Sequence, residues 1–183
     1  MAGRVAIFID GGYLDKLLRT EFRQSRIDYQ LLSEKLAAGS DILRTYYYHC
    51  PVYQSDPPTQ EERERYAAQR RFFDMLERLP RYMVRLGRLA RRVDETGKAR
   101  FEQKRVDILL GVDMVLLAAK QTIQEAVLLA GDSDFIPAVA VARSEGVLIR
   151  LFHGESPHSE LWQEVDERTR ITQDFINSIR RTT

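Results

Sequence analysis

Residues 5–9, Val-Ala-Ile-Phe-Ile, are apolar without a break, and the run stops at Asp10-Gly11-Gly12. A strand with one wet face alternates polar and apolar residues. An unbroken run instead marks a strand covered on both faces, as in parallel sheets. Parallel neighbours cannot be joined by a hairpin and need a crossover, usually a helix. The opening residues therefore commit the chain to strands alternating with helices, and the rest of the sequence keeps that order.

Residues 13–22 put Leu14, Leu17 and Leu18 on one helical face, and residues 29–36 suit a second short helix. Residues 42–53, rich in Tyr and β-branched side chains, read as strand two. Ser55-Asp56-Pro57-Pro58-Thr59 breaks the chain. Thr59 can then cap a helix over 60–79, with Glu61 and Glu62 in its first turn and Pro80 closing it. Residues 82–93 give a third strand running into a basic hairpin or loop that turns at 94–98. A strongly apolar helix over 106–120 follows, then a strand at 125–130, a helix at 135–144, a strand at 147–152 and a closing helix at 171–179. This is the pattern of one doubly wound α/β domain with a mainly parallel sheet.

In such sheets ligands bind at the carboxyl ends of the strands. Asp10 ends the first strand there, and Asp132 and Asp134 follow the strand that ends in Leu-Leu-Ala-Gly131. Helix capping is the plain alternative for each of them. Pro137 favours a helix start near Ser133 or Asp134, which would make Asp134 the cap and leave Asp132 ahead of it. Asp113 is flanked by Val112 and Met114 on a helix that looks apolar all round, so its carboxylate needs a salt bridge or a metal. Asp107 lies six residues earlier, roughly 120° away around a regular helix, and so would not share one ion with Asp113. Near the helix start it suits capping, or orienting Lys104, and with Ser133 a supporting place beside the site.

Other chemistries are poorly supplied. One cysteine, Cys50, and three scattered histidines exclude a thiolate zinc site and make a nucleophilic triad unconvincing. No GxxxxGK phosphate loop occurs. What remains is an oxygen-only donor set, which suits Mg²⁺ or Mn²⁺. Net charge is +1, so the distribution of charge matters more than its sum. Arg85, Arg88, Arg91, Arg92, Lys98, Arg100, Lys104 and Arg105 crowd into one segment that can meet phosphates or simply be a solvated hairpin. Tyr46, Tyr47 and Tyr48 offer bases a stacking face, or fill the core as strand tyrosines usually do. No apolar run is long enough to span a membrane and no secretory leader is evident, so the cytoplasm is the expected location.

RVAIFIDGGYL, KRVDILLGVDM and AVLLAGDSDFIPAVAVARSEGVLIRLF, in this order and spacing, resemble the NYN domain in its LabA-like (DUF88) branch, within the PIN-like nuclease group. Ser159, Leu161 and Asp166 fit the same pattern ahead of the last helix. The resemblance implies a Rossmann-like PIN fold and a Mg²⁺- or Mn²⁺-dependent ribonuclease centre. By position, Asp10, Asp113, Asp132 and Asp134 match the family's metal-binding acids, and Lys104 and Asp107 match its K-x-V-D block. Gly12 stands where many relatives have Asn, and 54–79 looks like a variable helical insertion. The expected protein is thus an endoribonuclease acting on single-stranded RNA. The alternative is a catalytically weak RNA-binding or regulatory module on the same fold. The helix at 60–79 offers a surface for a homodimer.

Overall fold

In a computed structural model of the chain, residues 3–93 and 99–181 are described, with only the backbone given for 90–93 and 99–104. The elements run β1 (Arg4–Asp10), α1 (Gly11–Thr20), α2 (Tyr29–Ala37), β2 (Asp41–His49), α3 (Gln60–Glu77), β3 (Tyr82–Leu86), β4 (Arg88–Val93), β5 (Ala99–Lys104), α4 (Val106–Ala119), β6 (Glu125–Leu129), a 3-10 turn (Ser133–Phe135), α5 (Ile136–Ser144), β7 (Leu148–His153), α6 (Ser159–Glu164), β8 (Glu167–Arg170) and α7 (Gln173–Ser178). Six strands form one parallel sheet in the order β3-β2-β1-β6-β7-β8. β4 and β5 form a separate antiparallel ribbon.

β1 is buried along its apolar run because helices cover both faces. Val5, Ile7 and Ile9 face α1, α2, α3 and α7, where Leu14, Leu17, Leu36, Phe73 and Ile176 pack. Ala6 and Phe8 face α4, α5 and α6, through Leu110, Met114, Val139 and Leu161. The two-residue period of the strand feeds two cores. Among the described residues, no helix is long and apolar enough to cross a membrane.

Several expected boundaries move for identifiable reasons. β2 stops at His49, not at 53, because Pro51 has no N–H to offer a central strand. The third strand breaks at Gly87, whose N–H donates to the His49 carbonyl at 2.8 Å, so β3 joins the sheet and β4 leaves it. The turn expected at 94–98 lies outside the described residues. Thr59 caps α3 in a full capping box: its hydroxyl accepts from the Glu62 N–H while the Glu62 carboxylate accepts from the Thr59 N–H. The Ser55 hydroxyl, which donates to it, and then the Thr59 N–H hold the Glu62 carboxyl down at about 2. The buried residues of α3, Phe73 and Leu76, are taken up by the chain's own core.

α6 and β8 are additions to the sequence reading. α6 has six residues, too few to show a period, and every residue of the edge strand β8 is exposed, so it shows no alternation. Asp166 anchors this corner by accepting from the Ile149 N–H at 2.8 Å and from Arg143 Nε at 3.1 Å. α4 is also less enclosed than its composition suggested. Ile108, Val112 and Leu116 form an exposed stripe, 69, 56 and 46% accessible.

Candidate functional site: an acidic cleft at the strand ends

The strand order reverses its direction of growth at β1. β2 and β3 extend the sheet to one side of it, while β6, β7 and β8 extend the other. Between β1 and β6 the following helices diverge to opposite faces and leave a crevice, where open α/β sheets bind ligands. A cleft of about 560 Å³ opens there, lined by Asp10, Asp107, Asp132, Lys16, Tyr13 and Ser156, with Gly12 and Gly131.

Asp10 and Asp132 are both caps. Asp10 Oδ1 accepts from the Tyr13 N–H at 3.0 Å, opening α1, and Asp132 Oδ1 accepts from the Asp134 N–H at 3.2 Å, opening the 3-10 turn. The capping residue of the second pair is therefore Asp132 rather than Asp134. Capping occupies one carboxylate oxygen and fixes the side chain at the mouth of the strand, so it positions the acid for other work. Asp107 enters from the first turn of α4.

The carboxylates feel one another. Burial raises the Asp10 carboxyl above its ordinary value and the charge of Asp107 adds to the rise, against the Tyr13 N–H. Burial likewise raises Asp107, and Asp132 and Asp134 push it further. The cleft thus gathers negative charge that a cation would relieve. His49, at the end of β2, has its Nε2 3.0 Å from Asp15 Oδ2. Burial works against the charged imidazole, but Asp15, the Cys50 carbonyl and Asp10 outweigh it and raise its pKa.

Tyr13 holds the crevice together. Its hydroxyl accepts from the Gly154 N–H at 2.8 Å, tying the start of α1 to the end of β7. Its ring lies over Gly131, where an added Cβ would stand 2.3 Å from the ring. Gly131→Ala should therefore push Tyr13 aside and lower stability by about 1–3 kcal/mol, the usual cost of overpacking. An unchanged urea midpoint would show that the ring can yield freely.

Asp113 takes the salt bridge, the first of the two settings its sequence allowed, and lies away from the acids that the family resemblance groups with it. It is buried over β2 and β3 and does not line the cleft. Arg85 Nε donates to its Oδ2 at 2.9 Å, Arg85 Nη2 donates to its Oδ1 at 2.5 Å, and the Tyr48 hydroxyl donates to Oδ2 at 2.9 Å. Of the two acids of α4, Asp107 turns to the strand ends. Arg85 is correspondingly paired with Asp113.

Arg88 and Arg105 are exposed, Arg105 with φ 75 just ahead of α4. The side chains of Arg91, Arg92 and Lys104 lie outside the described residues. Ser133 sits in the 3-10 turn and Asp134 is exposed beside it. Tyr46, Tyr47 and Tyr48 are 9, 0 and 0% accessible, so they pack the two cores and offer no stacking face. Lys16, Tyr13 and Ser156 were not singled out from sequence. The i, i+3 spacing of Tyr13 and Lys16 directly after Asp10 was the available signal for the first two.

The fold and the position of the cleft define a PIN-like domain of the Rossmann-like class. Residues 4–172 match the NYN domain, and the chain belongs to that family, whose members are generally nucleases. It is also similar to a crystal structure of a Vibrio parahaemolyticus protein of unknown function. The TM-score is 0.69 over 96% of each chain at 19% identity, a likeness of fold. No match was found among curated proteins.

Proposed function

We propose that the chain is an endoribonuclease of the LabA-like NYN branch that hydrolyses single-stranded RNA at the cleft of Asp10, Asp107 and Asp132. The observation that carries this reading is the meeting of these acids, from three separate elements, at the switch point of the sheet. The donors are all oxygen, they repel one another, and Lys16 stands beside them. Such a set fits a hard divalent ion that keeps several of its waters.

Asp10, Asp107 and Asp132, with Asp134 nearby, would hold Mg²⁺ or Mn²⁺, which supplies charge for the phosphoryl oxygens and a more acidic water. The Tyr13 N–H holds the Asp10 carboxylate in place for the ion. Lys16 can pair with a non-bridging phosphate oxygen. Hydrolysis forms one P–O bond from water and breaks the bond to the leaving oxygen, which takes up a proton. The cleft is an open trough, which suits cutting within a strand. The helical segment at 54–79 is taken as a family-variable insertion, and a buried single cysteine suits the cytoplasm.

One observation favours the second reading, an RNA-binding module with weak catalysis. Among the described residues, no three His, Cys, Asp or Glu side chains are drawn together tightly enough to make a metal cluster. Gly12 also contributes no polar side chain to the cleft. Thermal melts and cleavage assays separate the readings. The nuclease should stay folded in EDTA, gain a few degrees of Tm in millimolar Mn²⁺, and cut a labelled single strand only with the ion present. Unfolding in EDTA, or binding of RNA with no Mn²⁺-dependent cleavage, counts against it.

A further inference from the structure

A second and larger cleft, about 1180 Å³, lies where the loop after α1 meets α7. Arg23, Arg26, Arg180 and Arg181 line it, against one carboxylate, Glu21. Glu21 is engaged by another partner: it accepts the Glu155 N–H on both oxygens at 3.1 Å. All four arginines are exposed, and none has a carboxylate within 4 Å among the described residues. The backbone nevertheless fixes their two segments to each other. The Arg181 N–H donates to the Arg26 carbonyl at 3.1 Å, and Ile27 forms an antiparallel bridge with Arg180. Like charges held together without counter-charges favour a polyanion, and guanidinium forks match phosphate oxygens.

The two clefts are joined by α1. Tyr13 and Lys16 line the acidic cleft, and Thr20, on the same helical face, lines a depression that shares Glu21, Phe22 and Gln173 with the arginine cleft. At 1.5 Å per residue, the ten residues of α1 span about 15 Å. That is the length of about four or five stacked nucleotides at roughly 3.4 Å per step. We infer that the arginine cleft is an anchoring site for the phosphate backbone of single-stranded RNA, about four or five nucleotides along the strand from the bond at the acidic cleft. This rests on the nuclease reading for the polarity of the track, but binding at the arginines stands on its own charge and geometry.

The test is binding without catalysis. Fluorescent single-stranded RNAs of 4 and 12 nucleotides are titrated, in EDTA and at several salt concentrations, with wild type and with a variant carrying Arg→Gln at 23, 26, 180 and 181. The variant should bind the 12-mer at least tenfold more weakly. Its salt slope should fall by about 3, at about 0.7 per lost phosphate contact. The 4-mer can sit on the arginines alone, so it too should bind the variant more weakly than wild type. Two double variants, at 23/26 and at 180/181, should each give about half the loss of slope, and they serve if the quadruple variant fails to fold. Equal 12-mer affinity and slope in variant and wild type overturns the inference, as does a wild type that binds no 12-mer. Arginine-dependent binding to phosphatidylserine vesicles in place of RNA overturns it too. Arginine-dependent RNA binding by a protein that never cuts leaves the anchor standing and removes the nuclease reading. Cutting with no arginine dependence does the reverse.

Discussion

Asp113→Asn lowers the stability of the metal-free protein by about 2–4 kcal/mol, near the lower end of the cost of breaking a buried ion pair. Cleavage per folded molecule stays close to wild type. The Asp113 side chain is 9% exposed and accepts three hydrogen bonds, two from Arg85 and one from Tyr48. An amide keeps one oxygen acceptor but puts an N–H₂ group where the other oxygen stood. That group faces a guanidinium, which can only donate. The Arg85 side chain is 37% exposed and can turn part of its charge to water, which limits the loss. Arg85→Ala strands the carboxylate itself, the more buried partner, and should cost more. Urea unfolding of both variants beside Mn²⁺-dependent cleavage decides the matter. A variant of unchanged or raised stability that no longer cuts would return Asp113 to the metal-binding acids.

The setting of Asp113 marks where the sequence stops being legible. β1 and β6 announced themselves as doubly buried apolar runs, and the acids after them fell where parallel sheets place ligands, because strand and loop chemistry are local. The capping box of α3 was readable for the same reason. Which face of α4 meets the strand ends depends on how the helix is docked, and that is set by distant partners. Asp113 looked unaccompanied because Arg85 and Tyr48 lie 28 and 65 residues away in sequence. Exposure of Ile108, Val112 and Leu116 was hidden by composition, since an apolar helix shows no contrast between its faces. The arginine cleft was illegible for another reason. Its four residues come from two short segments more than 150 positions apart, neither of them strongly basic alone.

Asp107→Asn should abolish cleavage by orders of magnitude while leaving the metal-free protein at least as stable as wild type at neutral pH. Asp107 is raised above its ordinary 3.8 by burial and by the charges of Asp132 and Asp134. The folded state therefore holds this proton more tightly than the unfolded chain does. Its contribution is fully present below about pH 4 and is lost as pH rises through the raised value, so at pH 7 the charged group is a net cost. Removing the charge relieves that cost, and relieves Asp10, which Asp107 also raises. The variant's advantage should thus appear at pH 7–8 and vanish near pH 3. Divalent cation should do for wild type what the substitution does for the variant, so the gain in Tm from Mn²⁺ should shrink in Asp107→Asn. Cleavage should fall because the ion loses one of the charges that place it against the phosphate. Melts at pH 3.5 and 7.5, with and without Mn²⁺, give all four terms on one protein. A variant less stable than wild type at pH 7.5 that retains its full response to Mn²⁺ would remove Asp107 from the acidic site.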